Sequence, residues 1–464
     1  MADSAPAQSA GVDGREMEKQ STASRLSLNL NSMAEGEHAF AAGDFLTTAR
    51  AQNEQVAVTV RGDSRMRARR ILQLKPSTLG HGETFAAWRP HSLQLVVASE
   101  RDGDCLLTLY NRATMPKPSE THNLGAGRPL SLNFSTDGNV LAIMQEHIGI
   151  YLWKLREEGS TGGAPSQPLR LASSITKDAT FSKWSKRYSQ LAIGTKQGKV
   201  IIFNEKEGVM QLHDRKGKHG AAVTCGDWMD DNRLGLASGT RVKISKPMTE
   251  MGAQWESYSK FKLSGMLSRV PRKFNATAPK LLSFSMSYPP FVAVCIGENY
   301  MLVFATTGAD GSKGSQDVGL TFPDDYGPVT GFQWLEDDVV LVSLAKGYVT
   351  SVDFGAMVRN RRQEGLPDAV KATGTTKVFN EYLTCLSYAP KSGRMAVVGD
   401  KGCKVLVRDR DNPSDLEVLV DHTLEYELTI GNCISSCCWD DRGDAVAITS
   451  TNGYVWAFEF EAVV

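Results

Sequence analysis

The fold of this chain is constrained most strongly by a sequence unit that recurs eight times between residues 83 and 458. Each copy contains a short strand ending in an aromatic residue, a polar turn, an apolar strand, a second turn and another apolar strand. The clearest copy, residues 130–155, has the sequence LSLNFSTDGNVLAIMQEHIGIYLWKL, and its Asp137-Gly138 pair suits a tight turn because glycine readily adopts a positive φ. Short apolar runs separated by turn residues indicate an all-β chain.

One aromatic residue ends the first strand of each copy, and we expect it to fill the space between neighbouring sheets. These residues lie roughly 44 to 56 positions apart, slightly more than the period of about 40–45 residues in WD-type blades. The predicted structural anchors are Trp88, Phe134, Trp184, Trp228, Phe284, Trp334, Tyr388 and Trp439. A further short strand precedes each anchor, which gives four strands per unit. Because such units cannot each enclose a core, they stack, and radial closure protects their edges. The sequence predicts an all-β, WD40-type β-propeller of seven or eight four-stranded blades.

The same pattern divides the chain into two parts. Residues 1–66 are rich in Ala, Ser, Gly, Gln and Glu and contain only two aromatic residues, Phe40 and Phe45. Such a segment cannot bury enough apolar area to offset the entropy lost on ordering. We therefore expect a disordered or partly helical N-terminal arm over residues 1–66, with a short helix near residues 37–48, and a propeller over residues 67–462.

Charge and hydropathy narrow the classes of partner. The 52 basic and 52 acidic residues give a formal net charge of zero, which argues against general electrostatic binding to nucleic acid or to anionic membranes. No run of roughly 18 apolar residues is present, so the sequence predicts no transmembrane segment. The polar first residues also lack a secretory signal, so we expect a chain that is cytoplasmic or reaches its compartment without secretion.

Motifs for catalysis are not found in the sequence. There is no P-loop, no nucleophile elbow and no histidine pair at metal-ligand spacing, so we predict a protein that is not an enzyme and has no cofactor. Acidic pairs such as Asp230-Asp231 and Asp440-Asp441 leave a propeller hydrolase with axial carboxylates as an alternative. We favour a structural role for these acidic pairs, as turn carboxylates that accept hydrogen bonds from backbone amides, because most pairs directly follow an anchor. His219 is expected to fix an inter-strand turn.

Two basic segments are the candidate docking loops of the sequence. They lie in long insertions between repeat units, and their cationic residues are Arg269, Arg272, Lys273, Arg359, Arg361 and Arg362. A solvated loop is one interpretation, and docking to an acidic protein surface or to lipid headgroups is the other. Nucleic acid is disfavoured because no aromatic residues are interleaved to stack on bases.

Four segments in order resemble one known family. They are NFSTDGNVLAIMQEHIGIYLWKL, FSKWSKRYSQLAIGTKQGKVIIFN, GKHGAAVTCGDWMDDNRLGLASG and CCWDDRGDAVAITSTNGYVWAF. Their order and spacing are similar to the N-terminal propeller of the largest WD-repeat subunit of intraflagellar transport complex A, over about residues 70–460. Members of that family continue into a second propeller and helical repeats, so this chain resembles their N-terminal portion alone, either as a fragment or as a short form.

The resemblance implies a function in cilia and flagella. It implies a non-enzymatic scaffold for retrograde transport and import of membrane cargo, with other complex A subunits and cargo adaptors as partners. It also implies localisation in the cytoplasm and in the cilium or flagellum, at the basal body and axoneme. The alternative that the residues leave open is a vesicle-coat-like propeller that binds membrane cargo or lipid through peripheral contact.

Overall fold

Eight sheets built on the same four-strand meander make up the structure. It is a computed structural model, and it describes residues 26–29, 66–156, 166–206, 208–212, 219–248, 255–263, 278–287, 290–306, 317–354, 372–400, 402–408, 416–424 and 433–462. The predicted fold class is confirmed, and of the two predicted blade numbers the structure has eight.

The first half of the ring contains blades 1 to 4, whose strands follow one another along the chain. They are preceded by two strands, β1 (Leu26–Asn29) and β2 (Met66–Leu74), and by a short helix, α1 (Pro76–Leu79). Blade 1 contains β3 (Phe85–Trp88), β4 (Gln94–Arg101), β5 (Asp104–Asn111) and β6 (Pro118–Ala126). Blade 2 contains β7 (Pro129–Phe134), β8 (Val140–Gln145), β9 (Gly149–Lys154) and β10 (Leu169–Arg170), followed by α2 (Ser173–Thr176). Blade 3 contains β11 (Ala179–Trp184), β12 (Gln190–Thr195), β13 (Val200–Asn204) and β14 (Val209–Leu212). Blade 4 contains β15 (Val223–Trp228), β16 (Leu234–Ser238), β17 (Arg241–Pro247) and β18 (Trp255–Lys262).

The second half repeats this arrangement in blades 5 to 8. Blade 5 contains β19 (Leu281–Phe284), β20 (Phe291–Ile296), β21 (Tyr300–Ala305) and β22 (Asp317–Thr321). Blade 6 contains β23 (Val329–Trp334), β24 (Val339–Leu344), β25 (Tyr348–Asp353) and β26 (Ala372–Lys377), with 3₁₀ turns at Asp324–Tyr326 and Glu336–Asp338. Blade 7 contains β27 (Leu383–Ala389), β28 (Arg394–Gly399), β29 (Gly402–Arg408) and β30 (Leu416–Thr423). Blade 8 contains β31 (Ile434–Trp439), β32 (Ala445–Ser450) and β33 (Val455–Ala462), and β2 is its fourth strand.

The first strand of each blade lies at the centre of the ring. These eight inner strands contact one another in sequence, and the series closes because β3 of blade 1 also contacts β31 of blade 8. Both faces of a blade are therefore covered by its neighbours, and every residue of the second strands β8, β12, β20, β24 and β32 is buried. This explains why the second strands are almost continuously apolar rather than alternating.

The hydrophobic core consists of eight clusters, and each cluster lies between two neighbouring blades. Close approach between blades depends on small residues at certain positions. A Cβ added at Gly194 of blade 3 would lie 2.5 Å from Val223 Cγ1 of blade 4. The turn glycine Gly138 has a φ of 71°, as expected from the Asp-Gly pair, and packs against the backbone of Pro90 in blade 1.

The ring is closed by the strand that comes first in the described propeller. β2 pairs antiparallel with β33, from Met66 opposite Ala462 to Leu74 opposite Val455. Across the closure, Arg69 pairs with Glu459 and, at 3.0 Å, with Glu461. Of the predicted N-terminal arm, the structure describes Met66, which is the first residue of β2, and β1, which pairs in parallel with β22 at the outer edge of blade 5. The predicted helix near residues 37–48 lies outside the described residues.

None of the helices among the described residues has the length and apolarity needed to span a bilayer.

The closure makes a testable prediction about Leu72, a fully buried residue of β2 that packs between blades 8 and 1. We expect Leu72→Ala to lower the free energy of unfolding by about 2–4 kcal/mol, because it removes buried methyl groups and leaves a cavity. Urea denaturation would measure this. Arg67→Ala is the control, since Arg67 is exposed on the same strand and its change should stay within about 0.5 kcal/mol. Equal losses in the free energy of unfolding of the two variants would contradict the prediction that core packing of β2 stabilises the closed ring.

Candidate functional site

The eight predicted anchors lie at the same place in their blades. Seven are the last residue of an inner strand, and Tyr388 is the last but one residue of β27. Each anchor belongs to the apolar cluster that its blade shares with the preceding blade. The anchors therefore fill the inner part of every interface between blades.

Four of the anchors also make a hydrogen bond that the sequence analysis did not anticipate. In each case the indole N–H donates to a backbone carbonyl of the preceding blade, on the residue just before that blade's own anchor. The pairs are Trp184 to Asn133 at 2.9 Å, Trp228 to Lys183 at 2.9 Å, Trp334 to Ser283 at 3.2 Å and Trp439 to Ser387 at 3.1 Å. The indole thus fixes the register of one inner strand against the next. Tryptophan at an anchor position is the sequence signal that could have revealed it.

Trp88 departs from this pattern at the interface between blades 8 and 1. Its indole N–H is buried and has no partner among the described residues. The equivalent carbonyl belongs to Cys438, whose thiol instead donates to the carbonyl of Ala86 at 3.3 Å. Burial raises the pKa of the Cys438 thiol to about 12, so the thiol keeps its proton at neutral pH and can act as a donor. The interface next to the closure is therefore bonded differently from the others.

A cavity of about 300 Å³ lies beside this interface, on the inner side of the ring. It is formed by the inner strands of blades 8, 1, 2 and 3 at the end where the anchors lie. The lining residues are Ala86, Ala87, Trp88, Leu132, Asn133, Phe134, Thr136, Lys183, Trp184, Lys186, Cys438 and Trp439. The lining combines aromatic surface with two ammonium groups, which is a chemistry suited to an apolar side chain next to an acidic one.

The two lysines of the cavity are held by aspartates of blade 4. Lys183 Nζ lies 2.8 Å from Asp227 Oδ1, and Lys186 Nζ lies 3.3 Å from Asp230 Oδ1. The buried Asp227 carboxylate also accepts hydrogen bonds from the Ser283 hydroxyl and the Phe284 amide of blade 5. Burial alone would raise the pKa of Asp227, but the nearby Lys183 and Lys186 ammonium groups and these hydrogen bonds bring it below its ordinary value. Asp227 therefore links three consecutive blades as a carboxylate.

The acidic pairs that suggested a hydrolase have structural partners. Asp440, in the turn after β31, accepts the amides of Asp444 and Ala445 and pairs with Arg112 of blade 1 at 3.2 Å. Asp441 pairs with Lys391 and His91. Asp231 binds Arg233 at 2.7 Å, and Asp324 accepts from Asn299 at 2.7 Å. In the described part of the chain, no group of three or more His, Cys, Asp or Glu side chains is arranged to hold a metal ion.

The remaining predicted positions fall in two groups. His219 is buried, and its amide donates to the carbonyl of Gly198 at 2.9 Å, so it lies against the turn between β12 and β13. The six cationic residues of the predicted docking loops, Arg269, Arg272, Lys273, Arg359, Arg361 and Arg362, lie outside the described residues. Their proposed contact with partners stays a prediction.

Eight radial four-stranded blades with an aromatic residue at the end of each inner strand define the class of WD-repeat β-propellers. Comparison with known families adds to this class assignment, because the model of the family described as WDR19 first beta-propeller matches residues 84–453. The chain belongs to this family. The family predicted from the four sequence segments is thereby confirmed.

Relatives of known name agree with this assignment. The chain is 20% identical over 337 residues to WD repeat-containing protein 19 of Mus musculus and 21% identical over 340 residues to that of Homo sapiens, in each case covering 72% of this chain and 22% of the relative. It is 22% identical over 393 residues to WD repeat-containing protein dyf-2 of Caenorhabditis elegans, which covers 82% of this chain and 24% of the relative. The chain thus spans less than a quarter of the length of these relatives.

Solved structures support the fold alone. Sqt1 from Chaetomium thermophilum superposes with a TM-score of 0.63 at 13% identity, covering 85% of this chain and 99% of the other. The same protein bound to the N-terminus of the ribosomal protein L10 gives a TM-score of 0.62 at 12% identity, covering 82% and 98%. The C-terminal WD40 domain of Sif2 gives 0.57 at 13% identity, covering 86% and 99%.

The indole hydrogen bonds can be tested with two anchors of nearly equal burial, Trp184 at 5% exposed and Trp88 at 6%. Both lose a similar apolar area on replacement by Phe, but only Trp184→Phe leaves a half-buried carbonyl without its donor. We expect Trp184→Phe to lower the free energy of unfolding by about 1 kcal/mol more than Trp88→Phe does. Urea denaturation of the two variants measures the difference. Equal losses would show that the bond to Asn133 contributes nothing.

The lowered pKa of Asp227 predicts how stability changes with acid. The folded state holds the proton of Asp227 less tightly than the unfolded chain, where the value is about 3.9. Its contribution is therefore complete above that value and is lost as pH falls through the lower folded value. We expect the stability difference between the wild type and Asp227→Asn to be constant near pH 7 and to shrink below about pH 4. Lys183→Met should reduce this pH dependence, because it removes the ammonium group that lowers the pKa of Asp227. A stability difference between the wild type and Asp227→Asn that grows on acidification would contradict the prediction.

Proposed function

We propose that this chain is a non-enzymatic docking scaffold of intraflagellar transport complex A, acting in retrograde transport and in import of membrane cargo into cilia or flagella. The observation that carries the proposal is the family match over residues 84–453. The partners are other subunits of the complex and cargo adaptors. The chain would act in the cytoplasm and in the cilium, at the basal body and along the axoneme.

The way the polar groups are used supports a scaffold rather than an enzyme. Asp227 accepts the amide of Phe284 in blade 5, Asp440 pairs with Arg112 of blade 1, and Asp441 pairs with Lys391 of blade 7. These contacts connect one blade to the next. A carboxylate held in this way stabilises the ring and has its charge already compensated. The blades then form a stiff support, and recognition falls to the loops and side surfaces that the support presents.

Co-purification tests the proposal most directly. A tagged chain expressed in ciliated cells should recover subunits of complex A and should concentrate at the ciliary base and along the axoneme. Charge reversal of the predicted docking loops provides the matched variants, with Arg269, Arg272 and Lys273 changed to Glu in one and Arg359, Arg361 and Arg362 changed to Glu in the other. We expect one of the two to lose at least about tenfold in recovered subunits, because reversed charge repels an acidic surface.

One outcome would contradict the assignment, and another would contradict the predicted docking loops. Cytoplasmic puncta with no ciliary signal, together with recovery of coat components, would favour the vesicle-coat-like alternative. Full recovery of complex A by both charge-reversed variants would leave complex membership in place and would move the docking contact away from these loops.

A further inference from the structure

Blade 5 has a fifth strand that is not part of its own meander. β1 pairs with the outer strand β22, from Leu26 opposite Val318 to Asn29 opposite Thr321. This pairing is parallel, whereas the pairs inside the blade are antiparallel. Among the sheets that the structure describes, blade 5 is the one with such an addition. The outer edge of β22 therefore binds an extended segment that comes from outside the repeat.

The sequence of β1 independently has the pattern of a strand. Residues 26–31 have the sequence LSLNLN, with leucine at every second position and Ser or Asn between the leucines. Alternation with a period of two is typical of a strand that has one apolar face. None of these six residues is charged. The segment is therefore suited to an edge that is itself uncharged.

The edge that receives β1 lacks the residues that commonly protect an outer strand. Proteins keep such strands from pairing with other chains by placing lysine, other charges or proline on them. β6 has Pro118 and Glu120, and β18 has Lys260 and Lys262. The four residues of β22 that pair with β1, Val318–Thr321, include no charged residue and no proline. This edge is therefore open to a further strand, and β1 occupies it.

A glycine lies in the middle of the paired part of β22. Gly319 is opposite Ser27 of β1, and a Cβ at this position would lie 2.3 Å from Tyr300 Oη of β21. A larger residue would therefore displace the buried Tyr300 ring. Glycine inside a strand often marks a place where another backbone approaches closely. At its middle position the edge thus presents backbone alone to an added strand.

The ring does not need β1 for its closure. Closure is made by β2 on β33 in blade 8, and residues 30–65 separate β1 from β2 along the chain. β1 pairs with β22 over four residues, and parallel pairs are slightly less stable per residue than antiparallel ones. A longer or better matched strand can displace an attachment of this length.

We propose that the outer edge of β22 is a docking site for an extended segment of a partner protein, and that β1 occupies it in the free chain as an internal competitor. The chemistry of β1 indicates the chemistry of the partner segment, which is uncharged and has apolar residues at alternating positions with small polar residues between them. Backbone hydrogen bonds of an added strand give affinity, and its alternating side chains give selectivity. This inference rests on the proposed scaffold function and specifies one docking site and the kind of segment that it binds.

An internal competitor makes docking selective. A segment tethered in the same chain acts at an effective concentration of up to the order of millimolar. A partner segment that matches the edge poorly therefore leaves β1 in place, whereas a well matched segment displaces it. The apparent affinity for the partner falls with the fraction of chains in which the edge is free.

The first test removes β1 from the edge and measures binding of a labelled peptide, SRLSLNLN, by fluorescence anisotropy. The double variant Ser27→Pro, Leu28→Pro lacks two successive N–H groups, which point to opposite edges of a strand, so one of the two prolines removes a bond to β22. We expect it to bind the peptide at least about tenfold more tightly than the wild type, because the competitor is gone. The matched control, Gln52→Pro with Asn53→Pro, lies between β1 and β2 in the sequence and should bind as the wild type does.

The second test locks β1 on the edge with a reversible bond. Asn29→Cys and Thr321→Cys place two cysteines directly opposite each other on neighbouring strands, which lie about 4.8 Å apart, within the range of a disulfide. The exposed native Cys433 is changed to Ser in the same protein. Oxidised glutathione should weaken peptide binding at least about tenfold below that of the wild type, and dithiothreitol should restore it. Thr321→Cys without Asn29→Cys is the control, and the oxidant should leave its binding unchanged.

Three results with the purified chain would overturn the proposal. Equal peptide binding by the wild type and the β1 proline variant, or no effect of the disulfide, would show that β1 does not compete for the edge. Equal affinity for SRSNNLLL, a peptide of the same composition with contiguous leucines, would remove the preference for alternation. Self-association of the proline variant without peptide binding would show that β1 only protects the edge from other copies of the chain.

Co-purification from ciliated cells separates this proposal from the proposed function. We expect the β1 proline variant to recover at least about threefold more of one complex A subunit than the wild type does. Equal recovery of every subunit by the two proteins would overturn the docking role of the edge and leave the proposed function in place. Peptide binding as expected, with no recovery of complex A by either protein, would overturn the proposed function alone.

Discussion

The structure depends on the fact that each four-stranded sheet has two apolar faces and cannot bury either of them by itself. Packing each sheet between two others satisfies both faces, and a ring is the arrangement in which no sheet is left at an end. The eight apolar clusters therefore connect neighbouring blades and together form the hydrophobic core. At four of these interfaces an anchor indole also donates a hydrogen bond to the neighbouring inner strand. Apolar packing is non-directional, so this bond fixes the register of one inner strand against the next.

Charged groups of opposite sign connect neighbouring blades within the scaffold. On the inner side of the ring, the ammonium group of Lys183 and the carboxylate of Asp227 compensate each other and link blades 3 and 4. Asp227 also accepts hydrogen bonds from Ser283 and Phe284 of blade 5, so one carboxylate contacts both neighbouring blades. At the interface between blades 8 and 1, Arg112 pairs with Asp440 at 3.2 Å. These contacts add directional bonds to the apolar packing between blades.

Much of the fold could be predicted from the sequence because its signals are local and repeated. Turn pairs such as Asp137-Gly138 and the aromatic residues that end the inner strands mark each unit, and their repetition predicts stacking. The sequence predicts seven or eight blades, because it does not show by itself whether the segment RILQL at residues 70–74 completes the last unit. That decision depends on pairing with β33, a contact between the two ends of the ring. The hydrogen bonds of the anchors also escaped prediction, because they depend on register between strands rather than on composition.

Closure by β2 has a consequence for the synthesis of the protein. The two halves of the closing pair are separated by 390 positions, as for Arg69 and Glu459. At translation rates of about 5–20 residues per second, β2 leaves the ribosome roughly 20 to 80 s before β33 exists. During that interval the apolar side chains of β2 lack their partners in blade 8, such as Val455 and Ala457, and one face of the incomplete ring stays exposed. Nascent chains of this design would therefore depend on chaperone protection until the last blade emerges.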